Sequence, residues 1–248
     1  MVSILTSSPT KEINENCPLP ALDERNGFID LLKALWRPDA RCLMIAAFPD
    51  AYARNDEMTW FYGQAVKNAG LSWGCFDLWD DRSPGYTREQ LQRYDVIFLA
   101  GGHVPTERRW FEYIRLRQLL RGYEGIILGT SAGSMNMAET VYGWPEEPGE
   151  SVDPNHELFF PGLGLAQTVV LPHYQKIKDN WLDGRRLMED ITCSHSHGNK
   201  FYAIPDGSFV LAQDGVETLF GEAWLVSDGR ITPFSHEGEE MILTERSV

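Results

Sequence analysis

The stretch ILGTSAGSMNMAE, residues 127–139, decides which fold the sequence predicts. An apolar run ends there, a serine follows between small residues, and the pattern then becomes helical. Gly129 and Gly133 would let the backbone bend tightly and leave the Ser131 hydroxyl exposed at the end of a strand. This is the G-x-S-x-G pattern of a nucleophile elbow, which requires a strand before the serine and a helix after it. The alternative is a turn in which Ser131 only caps the helix.

Apolar runs alternate with helical patterns on both sides of this stretch. The predicted strands are 42–48, 73–79, 95–101, 125–130 and 165–174. Helical patterns between them, including 105–120, predict right-handed crossovers and a mostly parallel sheet flanked by helices on both faces. Beyond residue 200, short apolar runs joined by Asp-Gly turns predict an antiparallel β extension. We therefore expect a single α/β domain over residues 1–248, with the Pro-, Glu- and Gly-rich segment 141–162 as a loop beside the strand ends.

The composition limits the classes of partner. The chain has 248 residues and a formal net charge of −14, which argues against nucleic acid, because phosphate binding requires basic surfaces. No apolar run reaches about 18 residues and the first twenty residues lack the pattern of a signal peptide, so we expect no membrane partner. Four scattered cysteines without a C-x-x-C pair are typical of reduced thiols and predict a cytoplasmic protein.

A serine nucleophile needs a base and a carboxylate that orients it. His173 ends the predicted strand 165–174, which we expect to reach the same sheet edge as Ser131. Asp206 ends the following strand, although an Asp-Gly pair is also a common turn. The backbone N–H groups of Gly102 and Ala132 follow two strand ends and are the candidate oxyanion hole.

Other histidines raise the question of a metal. Cys193, His195 and His197 alternate in CSHSHG, as metal ligands can. Their Ser- and Gly-rich setting favours a solvated helix end instead. The sequence therefore predicts no metal and no cofactor.

Four motifs occur in a fixed order along the chain. They are LAGGHV (99–104), ILGTSAGSMNMA (127–138), LPHY (171–174) and AIPDGSFV (203–210), preceded by the opening SILTSSP (3–9). With these motifs the chain resembles the peptidase E (aspartyl dipeptidase) family, whose fold is related to class I glutamine amidotransferases. The resemblance covers nearly the whole chain.

The resemblance implies a serine hydrolase with a Ser-His-acid triad in that chain order, which matches Ser131, His173 and Asp206. The family's third residue is often Glu, so Asp206 departs from the pattern by its shorter side chain. A glutamine amidotransferase proper is disfavoured, because the elbow holds a serine where that reaction normally uses a cysteine.

The resemblance also implies how a substrate would be held. An acidic residue between nucleophile and histidine would receive the substrate's α-ammonium, and Glu146, Glu147 and Asp153 are the candidates here. An N-terminal aspartate would need a cation, for which Arg185 and Arg186 are candidates on a predicted helix after the histidine. Arginine can bind a carboxylate through two parallel hydrogen bonds. A solvated helix face is the alternative.

We therefore expect a serine peptidase that hydrolyses dipeptides or short peptides near the N-terminus, with N-terminal Asp as a candidate preference. A small peptide is the predicted partner, and the sequence leaves the oligomeric state open. One alternative is an α/β-hydrolase-type esterase that uses Ser131, Asp206 and His236. The other is a non-catalytic protein of the amidotransferase-like fold that binds a peptide or an amino acid.

Overall fold

The fold is built around an eight-stranded sheet, and the computed structural model describes residues 1–245. The strands are β1 (Val2–Thr6), β2 (Ala40–Ile45), β3 (Trp73–Trp79), β4 (Val96–Leu99), β5 (Ile126–Thr130), β6 (Thr140–Tyr142), β7 (Phe159–Pro161), β8 (Val170–Leu171), β9 (Trp181–Leu182), β10 (Arg185–Arg186), β11 (Lys200–Ala203), β12 (Phe209–Gln213), β13 (Val216–Phe220), β14 (Ala223–Ser227), β15 (Arg230–Ser235) and β16 (Glu240–Glu245). The helices are α1 (Phe28–Leu35), α2 (Tyr52–Asn68), α3 (Arg88–Leu91), α4 (Val104–Tyr113), α5 (Leu116–Leu119), α6 (Ala132–Asn136), α7 (Tyr174–Ile177) and α8 (Cys193–His195). Short 3₁₀ turns at Arg25–Gly27 and Glu150–Val152 and a π-helical turn at Leu187–Thr192 complete the set.

The large sheet has the strand order β16-β13-β12-β1-β5-β4-β2-β3. The five strands from β1 to β3 in this order are parallel, and β12, β13 and β16 extend the sheet antiparallel beyond β1. All residues of β4 and β5 are buried, as the continuous apolar runs of strands covered on both faces predict. The predicted fold class is confirmed.

Two apolar cores lie on the two faces of this sheet. Successive residues of β4 point to opposite faces, so Ile97 and Leu99 join one core while Val96 and Phe98 join the other. Helix α4 packs on the first face and helices α1 and α2 on the second. The sheet is thereby held rigid under the ends of β4 and β5, where the candidate site lies.

A second sheet corrects one prediction. Its order is β15-β14-β11-β8, and β11 is parallel to β8. The predicted strand 165–174 is reduced to the two residues of β8, and β8 does not belong to the sheet that carries Ser131. The carboxyl ends of two different sheets therefore supply the candidate triad, where the sequence had predicted one shared edge.

Two predicted helices also differ. The helix expected over 105–120 is divided into α4 and α5, because Arg115 adopts a left-handed conformation with φ 54°. Arg185 and Arg186 were predicted on a helix, but they form β10, which pairs with β9 in a two-stranded hairpin. Among residues 1–245, no helix has both the length and the apolar character needed to cross a membrane.

Candidate active site

Ser131 occupies a strained turn between β5 and α6. Its φ of 51° and ψ of −118° are unusual for a residue with a side chain, and such strain is concentrated at functional sites. The glycines on either side of Ser131 are required because a side chain at either position would clash with its neighbours. A Cβ on Gly129 would lie 2.6 Å from the Sδ of Met137, and a Cβ on Gly133 would lie 2.4 Å from the carbonyl oxygen of Leu99. The backbone can make this turn only with glycine at both positions.

His173 lies between Ser131 and Asp206. Its Nε2 is 3.0 Å from the Ser131 Oγ, and its Nδ1 is 2.7 Å from the Asp206 Oδ1. An ionised carboxylate can only accept, so Nδ1 carries the proton and donates to Asp206. The Nε2 lone pair then faces the serine hydroxyl. This is the arrangement in which a histidine can remove the hydroxyl proton.

The Asp206 carboxylate is bound by four donors. Oδ1 accepts from the Ser7 hydroxyl (2.7 Å) and from His173, and Oδ2 accepts from the Gln175 amide (2.6 Å) and lies 3.2 Å from the Lys176 ammonium. Burial alone would raise the pKa of Asp206, but the interactions with His173, Ser7 and Lys176 outweigh it and hold the pKa well below the usual range. The carboxylate therefore stays charged at neutral pH.

Ser7 is a site residue that sequence reasoning did not single out. Its hydroxyl accepts a hydrogen bond from the His173 backbone N–H (2.7 Å) while donating to Asp206. The Ser131 N–H in turn donates to the carbonyl oxygens of Thr6 and Ser7, both at 3.1 Å. The end of β1 thus contacts all three members of the candidate triad. The only signal in the sequence was its place in the opening motif.

The two candidate oxyanion donors flank Ser131. In the chain up to residue 245, neither the Gly102 N–H nor the Ala132 N–H donates to another residue. A Cβ on Gly101 would lie 3.1 Å from the Ser131 Cβ, so the loop after β4 passes directly beside the serine. A Cβ on Gly102 would lie 2.6 Å from the Ala47 Cβ. Glycine is thus needed at position 102, where the loop packs against Ala47.

The acidic segment after β6, residues 146–153, contacts the loop that follows β4. Glu146 and Glu147 are exposed, and their backbone N–H groups donate to Glu150 Oε2 at 2.8 and 2.9 Å. Glu150 Oε1 lies 2.9 Å from His103 Nε2. Burial tends to raise the pKa of Glu150, but the two N–H groups and His103 lower it overall. Glu150 was not predicted, and it fixes the acidic segment next to the candidate oxyanion loop.

The remaining predicted binding residues have protein partners. Asp153 is exposed and accepts a hydrogen bond from the backbone N–H two residues later. Arg186 binds Asp190 through Nε and Nη2, at 3.1 and 2.6 Å. Arg185 donates through Nη2 to the Ser151 carbonyl oxygen at 2.6 Å. Of the two arginines, only Arg185 contacts the acidic segment.

One group of possible metal ligands occurs within residues 1–245. It consists of His103, Glu147 and Glu150, whose ligand atoms lie within 4.8 Å of one another. The sequence had instead drawn attention to the histidines of CSHSHG. There, Cys193 is buried and His195 Nδ1 lies 2.8 Å from the Tyr142 hydroxyl.

The esterase alternative required His236 in the site. His236 is exposed in the turn between β15 and β16, and its backbone N–H donates to Glu239. The carboxylate that it would need, Asp206, is bound to His173. The geometry therefore favours the order Ser131, His173, Asp206.

The family model described as peptidase family S51 matches residues 48–219, which is more than half of the chain. The chain belongs to peptidase family S51. This is the peptidase E family, so the resemblance is confirmed and the protein is a serine peptidase of the peptidase E type.

Two solved structures share the fold. A peptidase from an acI-B1 Actinobacterium superposes with a TM-score of 0.58 at 15% identity, over 98% of this chain and 96% of that chain. A candidate peptidase E protein from Listeria monocytogenes EGD-e gives a TM-score of 0.58 at 13% identity, over 87% and 96% of the two chains. At these identities the likeness is one of fold. Comparison with curated proteins gave no match.

Proposed function

We propose that the protein hydrolyses dipeptides or other short peptides near their N-terminus, with Ser131 as nucleophile, His173 as general base and Asp206 as the carboxylate that orients the histidine. The observation that carries the proposal is the unbroken hydrogen-bonded chain from the Ser131 hydroxyl through His173 to Asp206. The strained backbone of Ser131 adds support, because strain of this kind is concentrated at functional sites and the turn places the Ser131 hydroxyl next to His173.

The reaction would proceed through an acyl-enzyme. His173 Nε2 takes the hydroxyl proton as the Ser131 Oγ attacks the carbonyl carbon, and the carbonyl oxygen becomes negative. The N–H groups of Gly102 and Ala132 stabilise that charge. The imidazolium, held by Asp206, then donates its proton to the leaving amine. In the second half-reaction, His173 removes a proton from a water molecule as the water oxygen attacks the acyl carbonyl carbon. The Ser131 Oγ then leaves, takes the proton back from His173, and the carboxylic acid product is released.

We further propose that the acidic segment holds the substrate's α-ammonium and that Arg185 binds a substrate carboxylate. Glu150 joins Glu146, Glu147 and Asp153 as a candidate for the ammonium, because it is fixed beside the candidate oxyanion loop through His103. Arg185 is preferred to Arg186, whose guanidinium is bound to a carboxylate of the protein. An N-terminal aspartate would satisfy both charges.

A dipeptide library with varied N-terminal residues tests the proposal. We expect hydrolysis that is lost in Ser131→Ala and reduced more than ~10³-fold in His173→Ala, because the members of such a triad act as a unit. His236→Ala is the matched control and should keep full activity. Peptide binding without hydrolysis would support the non-catalytic alternative. Loss of activity in His236→Ala with retention in His173→Ala would support the esterase-type triad.

A further inference from the structure

A fully buried carboxyl group lies one turn beyond the candidate oxyanion loop. Glu107, in the first turn of α4, is 0% exposed, and its Oε2 accepts a hydrogen bond from the Asn136 Nδ2 at 2.9 Å. Its Oε1 has no hydrogen-bond partner among residues 1–245. Burial raises the pKa of Glu107 well above its usual value, with the Asn136 bond opposing and the charge of Glu146 adding to the rise. Burying this carboxyl group costs free energy, which points to a role for Glu107 in the fold or in the site.

Asn136 connects the starts of two helices. It is the last residue of α6 and is 2% exposed. Besides Glu107, its Nδ2 contacts the carbonyl oxygen of Val104 at 3.3 Å and that of Ala132 at 3.1 Å. Val104 begins α4 directly after the Gly102 loop, and Ala132 begins α6. One amide group thus joins the two segments that carry the candidate oxyanion donors.

A second contact holds the same two segments together. A Cβ on Gly133 would lie 2.4 Å from the carbonyl oxygen of Leu99 and 2.8 Å from that of Ala100. Helix α6 therefore packs directly on the backbone that leads into the Gly102 loop. The segments touch at Gly133 and are tied at the Asn136–Glu107 pair, so their separation is fixed at two points.

Oxyanion stabilisation depends strongly on this separation. The donors must lie about 2.7–3.1 Å from the developing charge, and a displacement of about 1 Å can cost about 100-fold in rate. On the basis of the proposed function, we propose that Glu107 and Asn136 are positioning residues that hold the Gly102 and Ala132 N–H groups at the spacing of an oxyanion hole. Both act through the backbone of α4 and α6.

Substitutions at Glu107 separate positioning from simple packing. Glu107→Leu keeps the approximate size of the side chain but removes the side-chain acceptor, which is the shortest of the three Asn136 contacts. We expect kcat for p-nitrophenyl acetate to fall ~10- to 100-fold with KM changed less than ~3-fold, because the donors act on the transition state. Glu107→Gln retains a carbonyl oxygen for Asn136, so its kcat should stay within ~3-fold of wild type.

Glu217→Leu is the matched control. Glu217 is also buried, at 5% exposure, and accepts from the backbone N–H groups of Gln167 and Thr168, neither of which belongs to α4 or α6. This variant should lose stability without losing kcat. An equal loss of kcat in Glu217→Leu and Glu107→Leu would show that the effect is general destabilisation and would overturn the proposal.

Asn136→Ala tests the pair from its other side and serves if Glu107→Leu does not fold. It should lower kcat about as much, and the double variant should lose little more than either single variant, because the two residues act together. A wild-type kcat in either folded single variant would overturn the positioning role. Failure of the proposed function looks different, since a fluorophosphonate would then leave Ser131 of the wild-type protein unlabelled.

Discussion

Replacing Ser7 by alanine removes one hydroxyl that supports two members of the candidate triad. The hydroxyl donates to the Asp206 carboxylate and accepts from the His173 N–H, both at 2.7 Å. A hydrogen bond to a charged group contributes about 1.5–3 kcal/mol, and leaving the His173 N–H without an acceptor costs about 1–3 kcal/mol. If about half of this total bears on the orientation of His173, kcat should fall ~10- to 100-fold, since about 1.4 kcal/mol is tenfold in rate.

The assay is kcat and KM for the best dipeptide, with thermal unfolding measured on the same samples. Ser3→Ala is the matched control, because Ser3 is buried on the same strand and its hydroxyl has no partner within residues 1–245. We expect Ser3→Ala to keep wild-type kcat. A Ser7→Ala protein with unchanged kcat, or an equal loss in Ser3→Ala, would refute the assigned role of Ser7.

Three further outcomes are expected. Arg185→Ala should lower kcat/KM for Asp-Leu at least ~100-fold, about 2.7 kcal/mol, and should affect kcat/KM for Ala-Leu much less. Arg186→Ala should leave both values unchanged. Equal losses for the two dipeptides in Arg185→Ala would contradict a pocket for the substrate carboxylate. EDTA should leave hydrolysis within ~2-fold, because the serine is activated by a histidine; a loss that zinc restores would assign a role to the candidate metal ligands. Glu107→Gln should gain stability over wild type as pH rises above about 4.3, because the folded Glu107 carboxyl has a raised pKa and keeps a proton that the unfolded chain releases. An unchanged difference in melting temperature between the two proteins at acidic and at neutral pH would contradict this.

Local sequence was enough to predict the elbow. The glycines at 129 and 133 and the change from an apolar run to a helical pattern are features of neighbouring residues, and they determine the turn at Ser131. His173 and Asp206 were also predicted to lie near Ser131, and the structure brings the three side chains together, because both residues follow strands that end together. Their sheet was predicted wrongly. An apolar run shows that a strand is buried, but the pairing of β8 with β11 depends on contacts distant in the sequence.

The residues that support the site could not be read from local patterns. Glu107 lies in a charged helical stretch, where a glutamate is normally solvated, but in the fold it is buried and bound to Asn136 of α6. Ser7 and Glu150 likewise carry little local signal, because their contacts with His173 and His103 form only in the folded chain. Supporting contacts of this kind arise between elements, so a single sequence carries little signal for them.

The reactivity of Ser131 is the most direct test of the proposed chemistry. The protein is incubated with a fluorophosphonate, and the labelled residue is mapped by mass spectrometry of its peptides. We expect one adduct, on Ser131, that is absent from Ser131→Ala and forms much more slowly in His173→Ala, because the histidine must remove the hydroxyl proton. An unlabelled wild-type protein, an adduct on another residue, or equal labelling of His173→Ala would contradict the assignment of Ser131 as a nucleophile activated by His173.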